Sequence, residues 1–348
     1  MLNRESKTFD LKHCDVIKVF MMLSVMFYHC ICLWSKGGWF NQPPAQSSQV
    51  LAFLCSWFNS FHIYVFTFVS GYLFYYLKYE KERYKSFFKD TLHRATRLLI
   101  PYVFASLLWV IPFYVYYYSP KPLTVVKNFA LAESPNQLWF LMMIFAVFVI
   151  FYPLSNSFNK IGFFSGGVLS IIIYIVATLG ALLLPNIFQI WTAGKYIFFF
   201  YLGFAFRKYK NNIFYKIPWF CYFSVQILLL AIKFFYISNQ NGRMFALIEI
   251  VISPIINTIG VLTVITLLCK FNFSRIKNLK LFSLLSKHNF AMYLFHQQLI
   301  YVTISLFNNK LATPLLVLVN FTFSFTVSLF MSVLISKIPV VKKMFGYK

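Results

Sequence analysis

Ten apolar runs of 17 to 26 residues alternate with short polar segments along this chain, at 15–34, 52–77, 98–118, 138–154, 163–184, 190–206, 213–236, 245–268, 288–307 and 311–335. A helix rises about 1.5 Å per residue, so runs near 20 residues match a hydrocarbon layer about 30 Å thick. The second run is long for one crossing. Asn59, Ser60 and His62 interrupt it, which puts the crossing portion at 60–77 and leaves 50–58 at the interface. Outer-membrane barrel strands alternate apolar and polar residues over about ten positions, and these runs do not. The polar segment 78–97, KYEKERYKSFFKDTLHRATR, is different again. Its less polar residues (Tyr84, Phe87, Phe88, Thr91, Leu92, Ala95) recur at helical spacing, which predicts an amphipathic helix at the cytoplasmic interface. The expectation is an all-α, polytopic integral membrane protein with about ten transmembrane helices, forming a single membrane domain over 1–348.

Composition agrees and adds direction. Charged residues make up 11% of the chain and hydrophobic ones 60%, against about 25% charged in soluble domains. The net charge of +24 would suggest nucleic acid in a soluble protein. In a membrane chain it reads as the positive-inside rule, with the lipid bilayer as partner and no nucleic acid. Alternate loops hold 24 and six of the Lys and Arg residues, and Lys18 and Lys233 lie within spans. The bias places both termini in the cytoplasm, with 1–14 as N-terminal segment, 78–97 as basic cytoplasmic loop and 336–348 as C-terminal segment. The polar first 14 residues lead straight into a full span with no small-residue cleavage site after it, which is not the pattern of a cleaved signal peptide. Six cysteines (Cys14, Cys30, Cys32, Cys55, Cys221, Cys269) show no CxxC or zinc spacing, so no metal site is expected. A bond from Cys30 or Cys32 to Cys55 is one open pairing.

Candidate chemistry starts in the first span. Asp15, Lys18 and His29 stand in or beside an otherwise apolar helix. Lys18 and His29 are eleven residues apart, about three turns plus 20°, so they share a face about 16 Å apart along the axis. Ionisable groups inside a membrane are costly and default to function. The competing reading is that Lys18 snorkels to the headgroups, that Asp15 only lowers its cost at i,i+3, and that His29 is a packing residue. Arg94 and Arg97, also at i,i+3, can grip phosphates with forked hydrogen bonds or simply anchor the cytoplasmic face. Ser70-Gly71 puts two small residues in a bulky aromatic span, for close helix contact or close ligand approach. Trp139 opens the fourth span as a belt or site residue. Glu133 is the one acid in a predicted outer loop. Tyr293 and His296 enter the ninth span, His296 near mid-membrane. Lys233 and Glu249 are candidates to pair. GxSxG, P-loop, Rossmann and HExxH patterns are missing from the sequence.

Taken in order, these segments resemble the acyltransferase family 3 proteins, bacterial multi-pass membrane acyltransferases that decorate surface polysaccharides and related glycans. Within that family the chain looks like the enterobacterial common antigen O-acetyltransferase type. The likeness rests on Asp15, Lys18 and His29, with Lys where Arg is commoner, and on Ser70-Gly71-Tyr72. It continues through Arg94 and Arg97 with Pro101, Leu138-Trp139-Phe140, and more loosely Ser286, Tyr293 and His296. The resemblance implies transfer of an acyl group, usually acetyl, from cytoplasmic acyl-CoA to a sugar hydroxyl, in a bacterial cytoplasmic (inner) membrane. No bound cofactor is implied, because acyl-CoA, most often acetyl-CoA, is the donor substrate. The acceptor would be a glycan or an undecaprenyl-linked oligosaccharide, and other polysaccharide-assembly proteins are candidate partners. His29 would be catalytic, as base or transient acyl carrier. Lys18, Arg94 and Arg97 would sit on the acyl-CoA side, and Asp15, Ser70, Gly71, Glu133, Trp139, Tyr293 and His296 would support the site or the acceptor. The rival class is an exporter or flippase of polysaccharide or lipid-linked glycan, which would also carry buried charges. Inverted repeats would favour it, and none is visible. A structural subunit without activity is a third reading.

Overall fold

A computed structural model describes residues 9–36, 38–210, 213–239, 243–271 and 273–347. Residues 1–8 of the expected N-terminal segment and residue 348 of the C-terminal one lie outside them. The structure is 83% helical, with no strand among the described residues. In chain order the helices are α1 (Leu11–Ile31), α2 (Gln49–Asn59), α3 (His62–Tyr75), α4 (Phe87–Ala105), α5 (Ile111–Tyr118) and α6 (Pro122–Val125). There follow α7 (Trp139–Lys160), α8 (Phe163–Leu183), α9 (Ile190–Lys208), α10 (Trp219–Phe235) and α11 (Arg243–Leu268). The last are α12 (Ser274–Lys277), α13 (Lys280–Phe307), α14 (Thr313–Lys337) and α15 (Pro339–Met344). Among the described residues, eight helical stretches are long and apolar enough to cross a membrane. Helices also fill the two other expected positions, α9 and the shorter α10. Backbone groups satisfied within helices are what a lipid interior demands, and large apolar side chains such as Leu179, Leu183 and Phe330 are exposed on their surfaces. The chain is an all-α polytopic membrane protein.

Two compact units divide the chain. The first comprises 1–69, 209–289 and 303–321, and the second 70–208, 290–302 and 322–348.

In the first unit α1 starts at Leu11, four residues before the expected span, because Asp10 caps it. The Asp10 carboxylate accepts from the Lys12 N–H (2.9 Å) and the Asp10 N–H donates to His13 Nδ1 (3.1 Å). One side of α1 is closed by Cys14, Ile17, Met21, Val25 and Met26. Its far end is tied by Asn320, which is fully buried. The Asn320 amide donates to the Cys30 carbonyl (3.2 Å) and accepts from the Thr303 hydroxyl (2.6 Å). The predicted interruption appears as the break between α2 and α3, where Ser60 accepts from Gln226 Nε2 (2.9 Å). The predicted ion pair forms, with Lys233 Nζ 3.1 Å from Glu249 and 2.9 Å from the Ser253 hydroxyl. The Cys32 and Cys55 sulfurs lie 3.6 Å apart as free thiols.

The second unit departs from expectation at 78–97. There is no separate interface helix. After a non-helical stretch over 81–86, α4 begins at Phe87 and runs on through a π-helical turn at Ser106–Val110 into α5. Long cationic side chains reach outward while the helix continues beneath them, so charge alone did not mark its end. The core is aromatic, with the Phe74 ring centroid 5.6 Å from Phe148, 5.7 Å from Phe151 and 5.6 Å from Phe200. Close packing of helices in membranes favours small residues. At Gly194, a Cβ would meet the Ala177 Cβ at 2.4 Å, which sets the approach of α8 and α9.

Candidate functional site

α1 is unbroken from Leu11 to Ile31, so Lys18 and His29 do share a face. Asp15 and Lys18 pair at 3.3 Å. Both are partly exposed on the protein, and such pairs contribute about 0–1 kcal/mol. Between Lys18 and His29 on the same face, Met22 and Val25 are only 2% and 1% exposed. The middle of that face is therefore covered by protein rather than open to lipid.

His29 is half-buried in a row of rings. Trp39 stacks on it with centroids 5.6 Å apart and planes 29° from parallel. On its other neighbour, the Tyr28 centroid lies 5.0 Å away, and Tyr28 in turn lies 4.8 Å from His62. His62 is buried, and its Nδ1 bonds the Phe58 carbonyl one turn earlier, across the α2–α3 break. Sequence reading treated His62 only as an interruption, and did not mark Tyr28. His13 was also missed. It is buried, stacked on Phe9 (5.5 Å) and 2.9 Å from the Asp10 carboxylate. An Asp-x-x-His cap falls outside the usual Ser/Thr-x-x-Glu/Gln signature, so it carried little signal.

The remaining candidates belong to the second unit. At Gly71 a Cβ would lie 1.8 Å from the Phe200 carbonyl oxygen, so this position is a close contact between α3 and α9. Ser70, beside it, is half-buried. Arg94 and Arg97 share a helix but not an environment. The Arg94 guanidinium lies 4.4 Å over the Phe148 ring and donates to the Tyr84 hydroxyl at 3.4 Å, whereas Arg97 is exposed. Two further cations on this unit were not singled out. Arg207 forks onto Glu80 (2.8 and 2.5 Å) and donates to the Tyr72 hydroxyl (2.9 Å). Lys78 donates to the Ser155 hydroxyl at 2.5 Å and lies 4.1 Å over Tyr152, whose hydroxyl donates to Asp90 at 2.9 Å. With eight acids in the whole chain, Glu80 and Asp90 were a usable signal that two cations or hydroxyls would be held there.

Tyr293 and His296 adjoin on α13, with ring centroids 5.9 Å apart, and Gln137, an amide that sequence reading passed over, ties Tyr293 to the start of α7. The Tyr293 hydroxyl donates to the Gln137 carbonyl, and the Gln137 side chain donates to the Leu294 carbonyl (3.0 Å) and to Gln298 Oε1 (2.6 Å). Gln298 returns a bond at 3.1 Å. Trp139, the first residue of α7, packs 5.9 Å from Tyr196. His296 is fully buried, with Nδ1 donating to the Tyr293 carbonyl at 2.7 Å. Glu133 contributes its backbone: the Glu133 carbonyl accepts from Gln189 Nε2 at 2.9 Å.

A helical membrane chain that covers a lysine–histidine face and holds further cations against rings defines a polytopic membrane protein with its ionisable groups built into the fold. Its kind follows from comparison: the acyltransferase domain family matches residues 12–337, nearly the whole chain, and the chain belongs to that family. It is a membrane acyltransferase. No curated protein and no solved structure matches it.

Proposed function

We propose that this protein is an O-acyltransferase of the bacterial cytoplasmic membrane. It moves an acetyl or other short acyl group from cytoplasmic acyl-CoA to a sugar hydroxyl of a cell-surface polysaccharide or its lipid-linked precursor. In this reading the chain crosses about ten times with both termini in the cytoplasm, which the Lys and Arg bias supports. The observation that carries the proposal is His29, half-buried on a protein-covered face of α1 and about 16 Å along the axis from Lys18. Family membership supports transfer over export.

The chemistry asks for a base near neutrality. One imidazole nitrogen of His29 takes the proton of the sugar hydroxyl as that oxygen attacks the thioester carbonyl. The new C–O bond forms, the C–S bond breaks, and the departing CoA sulfur recovers the proton from the imidazolium. Atoms and charge balance without a further reactant. Trp39 and Tyr28 hold the ring in place. Exposed Arg97 suits CoA phosphates, and Arg94, pinned by Phe148 and Tyr84, positions that helix face. Lys18 stands at the entrance to the covered face.

His29→Gln keeps the ring's approximate volume and a hydrogen-bonding nitrogen but removes the base. It should lower acetyl transfer from acetyl-CoA to the cognate glycan by about 10²–10⁴-fold, the usual worth of general base catalysis. Purified protein with a wild-type unfolding midpoint and undiminished transfer would sink the assignment.

A further inference from the structure

A cavity of about 510 Å³ opens in the first unit beside Trp39, the ring that stacks on His29. It lies within the range of about 300–1,000 Å³ that holds small ligands. Trp34, Trp39, Phe40 and Phe235 give it aromatic walls, and Asn41 and Gln49 give it exposed amides. Among the described residues that line it there is no acid, and the cation there is engaged: Lys36 Nζ donates to the Phe234 carbonyl at 2.6 Å and lies 4.0 Å over the Phe234 ring.

The cavity is built rather than incidental. Much of its lining comes from residues 35–36 and 38–48, none of which lies in a helix or strand. Irregular loops of that length are uncommon in compact domains and commonly functional. This one is tied at several points. Trp34 Nε1 donates to the Gln46 carbonyl (2.8 Å), Asn308 Nδ2 to the Pro43 carbonyl (2.8 Å), and the Ala45 N–H to Asn308 Oδ1 (3.1 Å). Asn308 is 5% exposed. Thr313 donates to Gln46 Oε1 at 3.2 Å.

Resting on the acyltransferase reading, we infer that this cavity is an acceptor subsite that takes an uncharged sugar residue. The apolar C–H face of the sugar packs on Trp39 and its hydroxyls meet Asn41 and Gln49. Aromatic walls with flanking amides and hydroxyls suit a ring that is apolar on its faces and polar at its rim. A lipid tail would bring no hydrogen-bonding group to Asn41 or Gln49. A uronic acid would find no free cation facing it. Distance then fixes the register. A ring stacked on Trp39 opposite His29 adds at least about 4.5 Å to the 5.6 Å between those two centroids. At about 10 Å from His29 the bound sugar cannot be the one that reacts. It is a sugar linked to the reacting one, so the subsite reads a glycan chain rather than a monosaccharide.

The test uses the full chain in detergent micelles and neutral oligosaccharides of glucose and of N-acetylglucosamine, one to four units long. Oligogalacturonates of equal length are the acidic arm. Binding is read by saturation-transfer NMR, and acetyl-CoA binding by thermal protection of the same samples. Affinity should rise from one unit to two or more. Trp39→Ala should remove about tenfold of that gain, the size of a well-packed anchor, and Trp39→Phe should restore most of it. Gln49→Ala, at an exposed position, should weaken the longer sugars while leaving the fold intact. Absence of binding by any neutral oligosaccharide overturns the inference, as do preference for the acidic series or wild-type binding in both Trp39→Ala and Gln49→Ala. Sugar binding without acetyl-CoA protection would keep the subsite and remove the donor assignment; protection without sugar binding would do the reverse.

Discussion

Gly71 tests whether the Ser-Gly element of the second predicted span serves helix contact or ligand approach. In Gly71→Ala the new Cβ would lie 1.8 Å from the Phe200 oxygen and 2.7 Å from the Phe200 carbonyl carbon. Ordinary C···O contacts in proteins start near about 3.3 Å, so relief needs a displacement of roughly 1.5 Å. The obstacle is backbone, and no rotamer can clear it. Overpacking costs about 1–3 kcal/mol, and this geometry belongs at the upper end. Alanine returns about 1 kcal/mol of helix propensity, leaving a net loss of about 2 kcal/mol, near thirtyfold in the folding equilibrium. Gly167 in α8 is the control, because a Cβ there meets nothing within 4 Å. Gly167→Ala should gain about 0.5–1 kcal/mol. Thermal unfolding of both variants in detergent should therefore move in opposite directions. A midpoint for Gly71→Ala at or above that of Gly167→Ala refutes the contact argument. An unchanged midpoint with lost acyl transfer would assign the small residue to ligand approach instead.

Two other substitutions follow from buried polar groups. Asn320→Leu removes the bonds to the Cys30 carbonyl and from the Thr303 hydroxyl, and should cost about 2 kcal/mol, read as a lowered unfolding midpoint. In the Lys233–Glu249 pair, the double variant Lys233→Met/Glu249→Gln should lose less than the two single losses added, with a coupling of about 0.5–3 kcal/mol in a double-mutant cycle; additive losses would show that the pair contributes nothing.

Much of the architecture was legible because hydropathy reports directly on what lipid tolerates. The apolar runs became helices, and Asn59, Ser60 and His62 marked the α2–α3 break. Lys233 and Glu249 could be matched because acids are so few. The start of α4 was not legible, since Lys89, Arg94 and Arg97 make a loop by charge while the backbone stays helical. Single amides were harder still. Gln137 meets Gln298 across 161 residues and Asn320 meets Cys30 across 290, and nothing local says which amide answers which. Spacing put Arg94 and Arg97 on one face, but only packing against Phe148 and Tyr84 separated their surroundings. His29 stood out by cost alone, whereas its neighbours Tyr28, Trp39 and His62 looked like ordinary aromatic and loop residues.

The ties that hold the 35–48 segment set a schedule for synthesis. Its anchor Asn308 is encoded 263 residues after Ala45, and Asn320, which fixes the end of α1, comes later again. At about 5–20 residues per second, roughly 13–53 s separate the making of Ala45 from the arrival of Asn308. A chain that stops short of residue 308 would carry His29 and the 35–48 segment without the Asn308 side chain that ties it. The 35–48 segment is therefore held in place only after most of the chain has been made, long after the histidine beside it.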